Sequence, residues 1–72
     1  MNKERRKAIA ANIKAIVLTI QDILIDEVDA YENMPESLQV SMRGMDSEEA
    51  QENLESAIEA LEEAISYLED IY

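Results

Sequence analysis

The 72-residue sequence has no cysteine and no histidine, and it contains a single glycine and a single proline. Without cysteine there are no disulfides. Without either residue, an ordinary zinc site and the usual nucleophile–base pairs of enzymes are also excluded. A core of this size contributes only about 3–5 kcal/mol, and small folds commonly add a disulfide, a metal or a partner chain. We therefore expect a non-enzymatic protein with no cofactor and no metal, stabilised by self-association.

Long uninterrupted apolar runs are also missing. The basic residues 3–7 and the apolar residues 8–20 look superficially like a secretory signal, but Asn12 and Lys14 interrupt them and no cleavage site follows. The same interruptions leave no run of about 18 apolar residues that would span a bilayer. These features predict a cytoplasmic protein without membrane contact.

Positive charge is scarce. Six basic residues stand against 17 acidic ones, so the net charge is −11, which excludes ordinary nucleic-acid binding through a basic surface. Nothing positive follows Arg43, and residues 46–70 carry ten carboxylates. Such a surface either serves solubility or attracts a basic partner.

Apolar residues recur at three- and four-residue spacing over two long stretches, which predicts two amphipathic helices. We expect the first at residues 3–33, with a core stripe of Ile9, Ile13, Ile16, Ile20, Ile23, Leu24 and Tyr31. We expect the second at residues 46–71, with a heptad seam of Ala50, Leu54, Ala57, Leu61, Ala64, Leu68 and Ile71, and with Ile58 and Ile65 alongside. Joined by a loop at residues 34–45, they give a single all-α domain, residues 1–72, folded as an antiparallel two-helix hairpin.

Turn and capping residues place the ends of the helices. Pro35 ends the first helix, because the residue before a proline is pushed out of the helical region. Gly44 falls in the loop, and residues 37–42 are long enough for a short extra turn. Asp46 is expected as the N-cap of the second helix, with Glu49 completing a capping box.

A second apolar row on the first helix predicts self-association. Ala11, Leu18 and Ile25 repeat every seven residues, well away from the core stripe. One partner helix cannot cover both surfaces, and leaving Leu18 and Ile25 in water forfeits about 1.5–3 kcal/mol each. We therefore expect the hairpin to assemble into a four-helix bundle or a larger homo-oligomer.

The acidic second helix allows two interpretations. Glu55, Glu59, Glu62 and Glu63 lie outside the leucine seam, so they predict a solvated face rather than a di-iron centre, which needs Glu-x-x-His pairs in the core. The carboxylates also recur about every 4 Å along the helix, close to the phosphate spacing of about 3.4 Å in a DNA strand. Glu55, Glu59 and Glu62 are therefore candidates for binding a basic host protein by mimicry.

The loop is the other candidate site. Its polar side chains that would bind a ligand are Arg43, Ser37, Gln39 and Ser41. A guanidinium suits bidentate recognition of phosphate or carboxylate. In an antiparallel pair of hairpins, Arg43 of one chain would approach Arg5 and Arg6 of the other and form an anion pocket. Alternatively, Arg43 pairs with Glu36 or Asp46 and only fixes the loop.

Three segments carry a family resemblance: NMPESLQ at residues 33–39, Ser41 followed by Arg43-Gly44, and the opening MNKERRK at residues 1–7. In these segments the chain resembles a family of small acidic helical proteins encoded by phages, prophages and mobile elements of Firmicutes. The resemblance covers nearly the whole chain. Residues 15–20 depart from the acidic, repetitive style of that family, which favours an added interface here.

The resemblance implies a phage-type origin, and small phage proteins without catalytic residues commonly act by stoichiometric binding against host machinery. Our leading hypothesis is a counter-defence protein in the host bacterial cytoplasm that forms a helical oligomer and sequesters an anionic nucleotide signal. The alternative is an acidic nucleic-acid mimic or inhibitor that occupies the basic surface of a host nucleic-acid-binding protein. Neither hypothesis involves direct binding of nucleic acid.

Overall fold

The computed structural model describes residues 2–70, and within that range the chain forms three helices and no strand. Helix α1 spans Lys3–Glu32, α2 spans Glu36–Gln39 and α3 spans Met42–Glu69. The two long helices run antiparallel and pack against each other in a rod of 54 × 14 × 11 Å. The predicted all-helical hairpin is therefore confirmed.

Helix α1 begins and ends close to the predicted positions. At its start, the Asn2 side-chain oxygen accepts a hydrogen bond from the Arg5 backbone N–H at 2.8 Å, which satisfies a free donor of the first turn. At its end, the Asn33 backbone N–H donates to the Asp29 carbonyl at 3.0 Å. Pro35 follows two residues later, so the helix cannot continue.

The tip of the hairpin differs from the predicted open loop. Helix α2 fills most of it, and α3 begins at Met42, four residues before the predicted Asp46. Ser41 occupies the N-cap position, so the predicted capping box of Asp46 and Glu49 is wrong. The physical reason is tertiary: α2 packs against the start of α3, and this contact extends the helix beyond the start that local capping signals favour.

Gly44 lies buried inside α3 rather than in a loop. A Cβ at this position would overlap the backbone carbonyl of Gln39 at the end of α2. Gln39 is held there by its own side chain, whose amide donates to the carbonyls of Tyr31 and Met34 at 3.0 and 3.2 Å. The glycine therefore permits close contact between α2 and α3, and the glutamine satisfies carbonyls at the end of α1.

The core is a narrow seam between α1 and α3. Its buried residues are Ala10, Val17, Ile58 and Ile65, and its half-buried partners are Ile13, Ile20, Leu24, Leu61 and Leu68. The predicted stripe of α1 is wrong at Ile9, Ile16 and Ile23, which are 37%, 51% and 49% exposed. The predicted seam of α3 is wrong at Ala57, which is exposed. Both helices are therefore rotated about their own axes relative to the prediction. On α3 this rotation buries isoleucine instead of alanine, and thus more apolar area. Helix α1 is rotated with it, because the two seams must face each other.

A polar pair interrupts the seam near the tip. Ser47 is buried, and its hydroxyl donates to Glu27 Oε1 at 2.8 Å. Gln51 Nε2 lies 3.5 Å from the same hydroxyl. Glu27 interrupts the apolar pattern of α1, and it therefore has a partner directly across the seam, as a partly buried polar group requires.

Helix α1 is long and apolar enough to cross a membrane when length and composition alone are considered. The expectation that Asn12 and Lys14 exclude any such span is therefore wrong on this criterion. In the hairpin, the same helix contributes Ala10 and Val17 to the seam with α3.

Candidate anion-binding site

The hairpin has two different faces, one on each side of the seam. Residues seven apart share one side of a helix, so each side of the seam is bounded by rows of equivalent positions. The charged face is formed by Lys7, Lys14 and Gln21 beside Glu48, Glu55, Glu62 and Glu69. The apolar face is formed by Ile9, Ile16 and Ile23 beside Ala50, Ala57 and Ala64. An ion pair across the charged face supports this arrangement, because Lys14 Nζ lies 2.8 Å from Glu69 Oε2.

A groove of about 430 Å³ lies on the charged face at the end of the rod opposite the tip. Its walls are Lys3, Arg6, Lys7, Ala10, Ala11, Lys14, Leu68 and Glu69. We call it the basic groove, because four of its eight residues are cations and one is a carboxylate. Those four are most of the six lysines and arginines in the chain, so positive charge is concentrated here.

The cations of the basic groove are held differently. Lys14 pairs with Glu69, and because both side chains are about half exposed the pair contributes at most about 1 kcal/mol. Arg6 is buried, at 4% exposure. Lys3 and Lys7 are exposed and form no ion pair within residues 2–70. Two ammonium groups are thus available at the N-terminal end of α1, where the helix dipole also favours negative charge.

A second groove, of about 580 Å³, continues along the charged face and shares two residues with the basic groove. Its walls are Lys14, Val17, Leu18, Gln21, Glu62, Ile65, Ser66 and Glu69. Val17 and Ile65 belong to the seam, whereas Gln21 and Ser66 present an amide and a hydroxyl. The two grooves together offer cations at one end, and apolar surface with neutral hydrogen-bonding groups at the other.

The predicted ligand residues of the loop lie at the tip, and two of them are engaged within the chain. The Gln39 amide donates to carbonyls at the end of α1, and the Ser41 hydroxyl donates to the Leu38 carbonyl. Ser37 is exposed. Gln39 and Ser41 therefore shape the tip, and neither lines the basic groove or the second groove.

Arg43 is exposed in the first turn of α3. Its alternative role, pairing with Glu36 or Asp46 to fix the loop, is not seen among residues 2–70. Arg5 and Arg6, its expected co-ligands from another chain, lie at the other end of the 54 Å rod. A single hairpin does not assemble the predicted pocket, which requires a second copy and stays a prediction.

A tyrosine–glutamate contact ties the end of α1 to the start of α3. The Tyr31 hydroxyl donates to Glu48 Oε1 at 2.7 Å. This hydrogen bond, followed by desolvation and the charge of the carboxylate, raises the pKa of Tyr31 above its usual 10.0. The phenol therefore stays neutral at physiological pH and acts as a hydrogen-bond donor.

The predicted partner-binding residues are exposed. Glu55, Glu59 and Glu62 lie on the outside of α3, and Glu62 also forms a wall of the second groove. Leu18 and Ile25 are 64% and 58% exposed, so the hairpin itself does not cover them.

Three lysines of the basic groove, Lys3, Lys7 and Lys14, were not among the predicted ligand residues. A signal for two of them exists in the sequence, because Lys7 and Lys14 are seven residues apart and so share one side of α1. Whether that side of α1 borders the seam depends on where the seam lies. The predicted stripe of α1 was rotated about the helix axis relative to the observed seam.

No protein-family model, curated protein or solved structure matches this chain. We therefore infer function from the residues, the fold and the grooves.

Proposed function

We propose that this chain is a non-enzymatic binding protein that holds a phosphate-bearing anion in the basic groove. The observation that carries the proposal is the concentration of four cations around one groove in a chain of net charge −11. Ammonium and guanidinium groups form strong charge-assisted hydrogen bonds with phosphate oxygens. Lys14 pairs with Glu69, whereas Lys3 and Lys7 form no ion pair within residues 2–70 and are left for a ligand.

The second groove favours a nucleotide over a bare phosphate. Grooves of a few hundred Å³ suit small organic ligands, and both grooves fall in that range. Val17 and Ile65 offer an apolar surface on which a base can lie, and Gln21 and Ser66 offer hydrogen bonds to its edge or to a sugar. A ligand with phosphates in the basic groove and a nucleoside in the second groove would use both.

The acidic character of the chain opposes such a ligand only at long range. At physiological salt, charges more than about 8–10 Å apart are largely screened. The carboxylates at the tip end of a 54 Å rod therefore have little effect on an anion in the basic groove. Glu69 and Glu62 are close enough to repel it, and the nearby cations must outweigh them.

We place this activity in phage counter-defence, on the strength of the resemblance of the NMPESLQ and MNKERRK segments to small phage proteins. The protein would act in the host cytoplasm as a homo-oligomer and sequester a nucleotide immune signal stoichiometrically. The absence of histidine and cysteine favours sequestration over turnover.

Native mass spectrometry with cyclic dinucleotides, ADP-ribose and inorganic pyrophosphate tests the proposal. We expect the wild type to gain the mass of an unmodified ligand, one per basic groove. Lys7→Gln and Arg43→Gln are matched variants, because each removes one positive charge and they lie at opposite ends of the rod.

Lys7→Gln should weaken binding about tenfold or more, the value of one hydrogen bond to a charged group. Arg43→Gln should change it less than about twofold, because its charge is screened at that distance. Binding lost only in Arg43→Gln would move the site to the tip, and a hydrolysed ligand would contradict the non-enzymatic assignment.

One observation favours acidic mimicry as a second candidate function. The carboxylates of α3 are exposed on several sides of the helix, and within residues 2–70 only Glu69 pairs with a cation. A row of unpaired acids would fit a basic host protein. Changing Glu55 and Glu59 together to lysine should abolish capture of such a partner while leaving anion binding intact, because neither residue lines a groove.

A further inference from the structure

We propose that a second copy of this chain docks on the apolar face, with both tips at the same end of the dimer. In this arrangement the row Ile9, Ile16 and Ile23 of each copy lies on the row Ala50, Ala57 and Ala64 of the other. Within residues 2–70, the buried core of one hairpin consists of four apolar residues. The isoleucine row borders that core and is still 37–51% exposed, so a second copy would extend the same core.

The middle of the apolar face carries little charge. Over residues 9–26 of α1 and 50–67 of α3, its two rows and the next row on each helix comprise Ile9, Asn12, Ile16, Thr19, Ile23, Asp26, Ala50, Asn53, Ala57, Ala60, Ala64 and Tyr67, and the same rows reach Arg5, Arg43 and Asp46 towards the helix ends. Only one of these twelve residues, Asp26, is charged, although 32% of the whole chain is charged. Depletion of charge is the compositional mark of an interface core.

The opposite face is a poor alternative. Its equivalent rows comprise Lys7, Ala11, Lys14, Leu18, Gln21, Ile25, Glu52, Glu55, Glu59, Glu62, Ser66 and Glu69. Seven of these twelve residues are charged. Leu18 and Ile25, from which we predicted self-association, stand among those charges, and burying them would desolvate lysines and glutamates at considerable cost.

The exposed area has the size that a stable dimer needs. The chain exposes 5463 Å², whereas a compact monomer of 8.2 kDa exposes about 4,500 Å². The excess is about 900 Å², close to the roughly 800 Å² that each partner contributes to a standard stable interface.

Self-complementarity selects a second copy as the occupant and sets its orientation. If a two-fold axis parallel to the rod relates the two copies, each isoleucine row lies on an alanine row, so large side chains contact small ones. It also places the basic start of α1 beside the acidic end of α3 of the other copy. If the two-fold axis is instead perpendicular to the rod, α3 of one copy stacks on α3 of the other. Residues 46–70 of each copy carry ten carboxylates and no cation. Like charges at such a contact are unfavourable.

The dimer gives the homo-oligomer of the proposed function a specific interface and orientation, and it does not depend on the ligand. Because the basic groove lies on the charged face, it remains open in both copies. The two grooves would lie at the same end of the dimer and face outward.

Sedimentation equilibrium of two matched variants tests the face. Ile16→Glu and Leu18→Glu introduce the same charge two residues apart, at side chains 51% and 64% exposed. We expect a wild-type dimer, a dimer affinity about 100-fold or more weaker in Ile16→Glu because of the buried charge, and no change in Leu18→Glu. Circular dichroism of both variants checks that the helices remain. A wild-type monomer, or a dimer dissociated by Leu18→Glu, overturns the proposal.

Disulfide trapping tests the orientation, and the chain has no native cysteine to interfere. Ile16→Cys and Ala64→Cys are prepared separately, with only one of them tagged, and are then mixed and oxidised. The proposed arrangement predicts a disulfide between the two different variants and little self-linking of Ile16→Cys. Efficient self-linking of Ile16→Cys would mean that isoleucine lies on isoleucine, which overturns this orientation.

A membrane is the other surface that an apolar face can contact. Vesicles of phosphatidylcholine and phosphatidylglycerol, pelleted with wild-type protein, decide the matter. The proposal predicts a dimer that stays in the supernatant. Protein that pellets with the vesicles, and is released by Ile16→Glu, would assign the face to lipid instead.

Discussion

Replacing Gly44 by alanine should destabilise the protein, although the same change in a helix is ordinarily favourable. Alanine is preferred over glycine in a helix interior by about 0.8–1.0 kcal/mol. Gly44 lies inside α3, so propensity alone predicts a gain. The new methyl group, however, would overlap the backbone carbonyl of Gln39. Because the obstacle is backbone and not a flexible side chain, α2 has to move away from α3.

The cost of that movement can be worked from the contacts it breaks. Displacing Gln39 removes its two hydrogen bonds to the carbonyls of Tyr31 and Met34, each contributing about 0.5–1.5 kcal/mol. Overpacking by a methyl group adds about 1–3 kcal/mol. After the propensity gain, we expect a net loss of about 1–5 kcal/mol. For a domain of this size, each kcal/mol lowers Tm by about 4–8 °C.

Thermal unfolding followed by far-UV circular dichroism measures the effect, with all proteins at one concentration because self-association would shift Tm. Ser56→Ala is the matched control, since Ser56 is exposed on the same helix and gains propensity without a clash. It should raise Tm slightly or leave it unchanged. A Gly44→Ala protein as stable as wild type would refute the close contact between α2 and α3.

Three further predictions follow from individual contacts. Ser47→Ala should lower the free energy of unfolding in urea by about 1–3 kcal/mol, since Glu27 loses its partner, and adding Glu27→Leu should recover most of the loss. Lys14→Ala should cost at most about 1 kcal/mol in the same assay, because the ion pair with Glu69 is half exposed, yet it should weaken anion binding. The raised pKa of Tyr31 means that the folded state resists ionisation of this phenol. The contribution of the neutral Tyr31 phenol to stability is therefore complete below pH 10 and is lost as the pH rises beyond 10. Tyr31→Phe should reduce that alkaline loss of stability. Ultraviolet titration of Glu48→Ala should show Tyr31 ionising at a lower pH than in the wild type.

The helices were predictable because their signals are local. Spacing of apolar residues marks both long helices, and Pro35 marks the end of α1. The start of α3 was not predictable in this way. Asp46 and Glu49 form a good local cap, but packing of α2 overrides it, and that packing depends on Gly44. A contact between distant backbone segments leaves no periodic pattern to detect.

The candidate site was predictable only in its chemistry. The sequence shows that cations are few and that most precede residue 15, but their arrangement depends on how α1 rotates about the seam. Apolar residues surround much of α1, so several rotations bury similar area and the periodicity does not choose among them. The larger residues Ile58 and Ile65 on α3 settle the choice once the two helices are paired. That pairing places Lys7 and Lys14 together on the charged face.

Backbone amide NMR of the uniformly 15N-labelled protein, titrated with inorganic pyrophosphate, tests the central claim most directly. The claim is that an anion binds among Lys3, Lys7 and Lys14 at the end of the rod opposite the tip. We expect saturable shift changes concentrated in residues 3–14 and 65–69, with residues 37–43 unaffected. Changes concentrated in residues 37–43, or no saturable change at all, would contradict it.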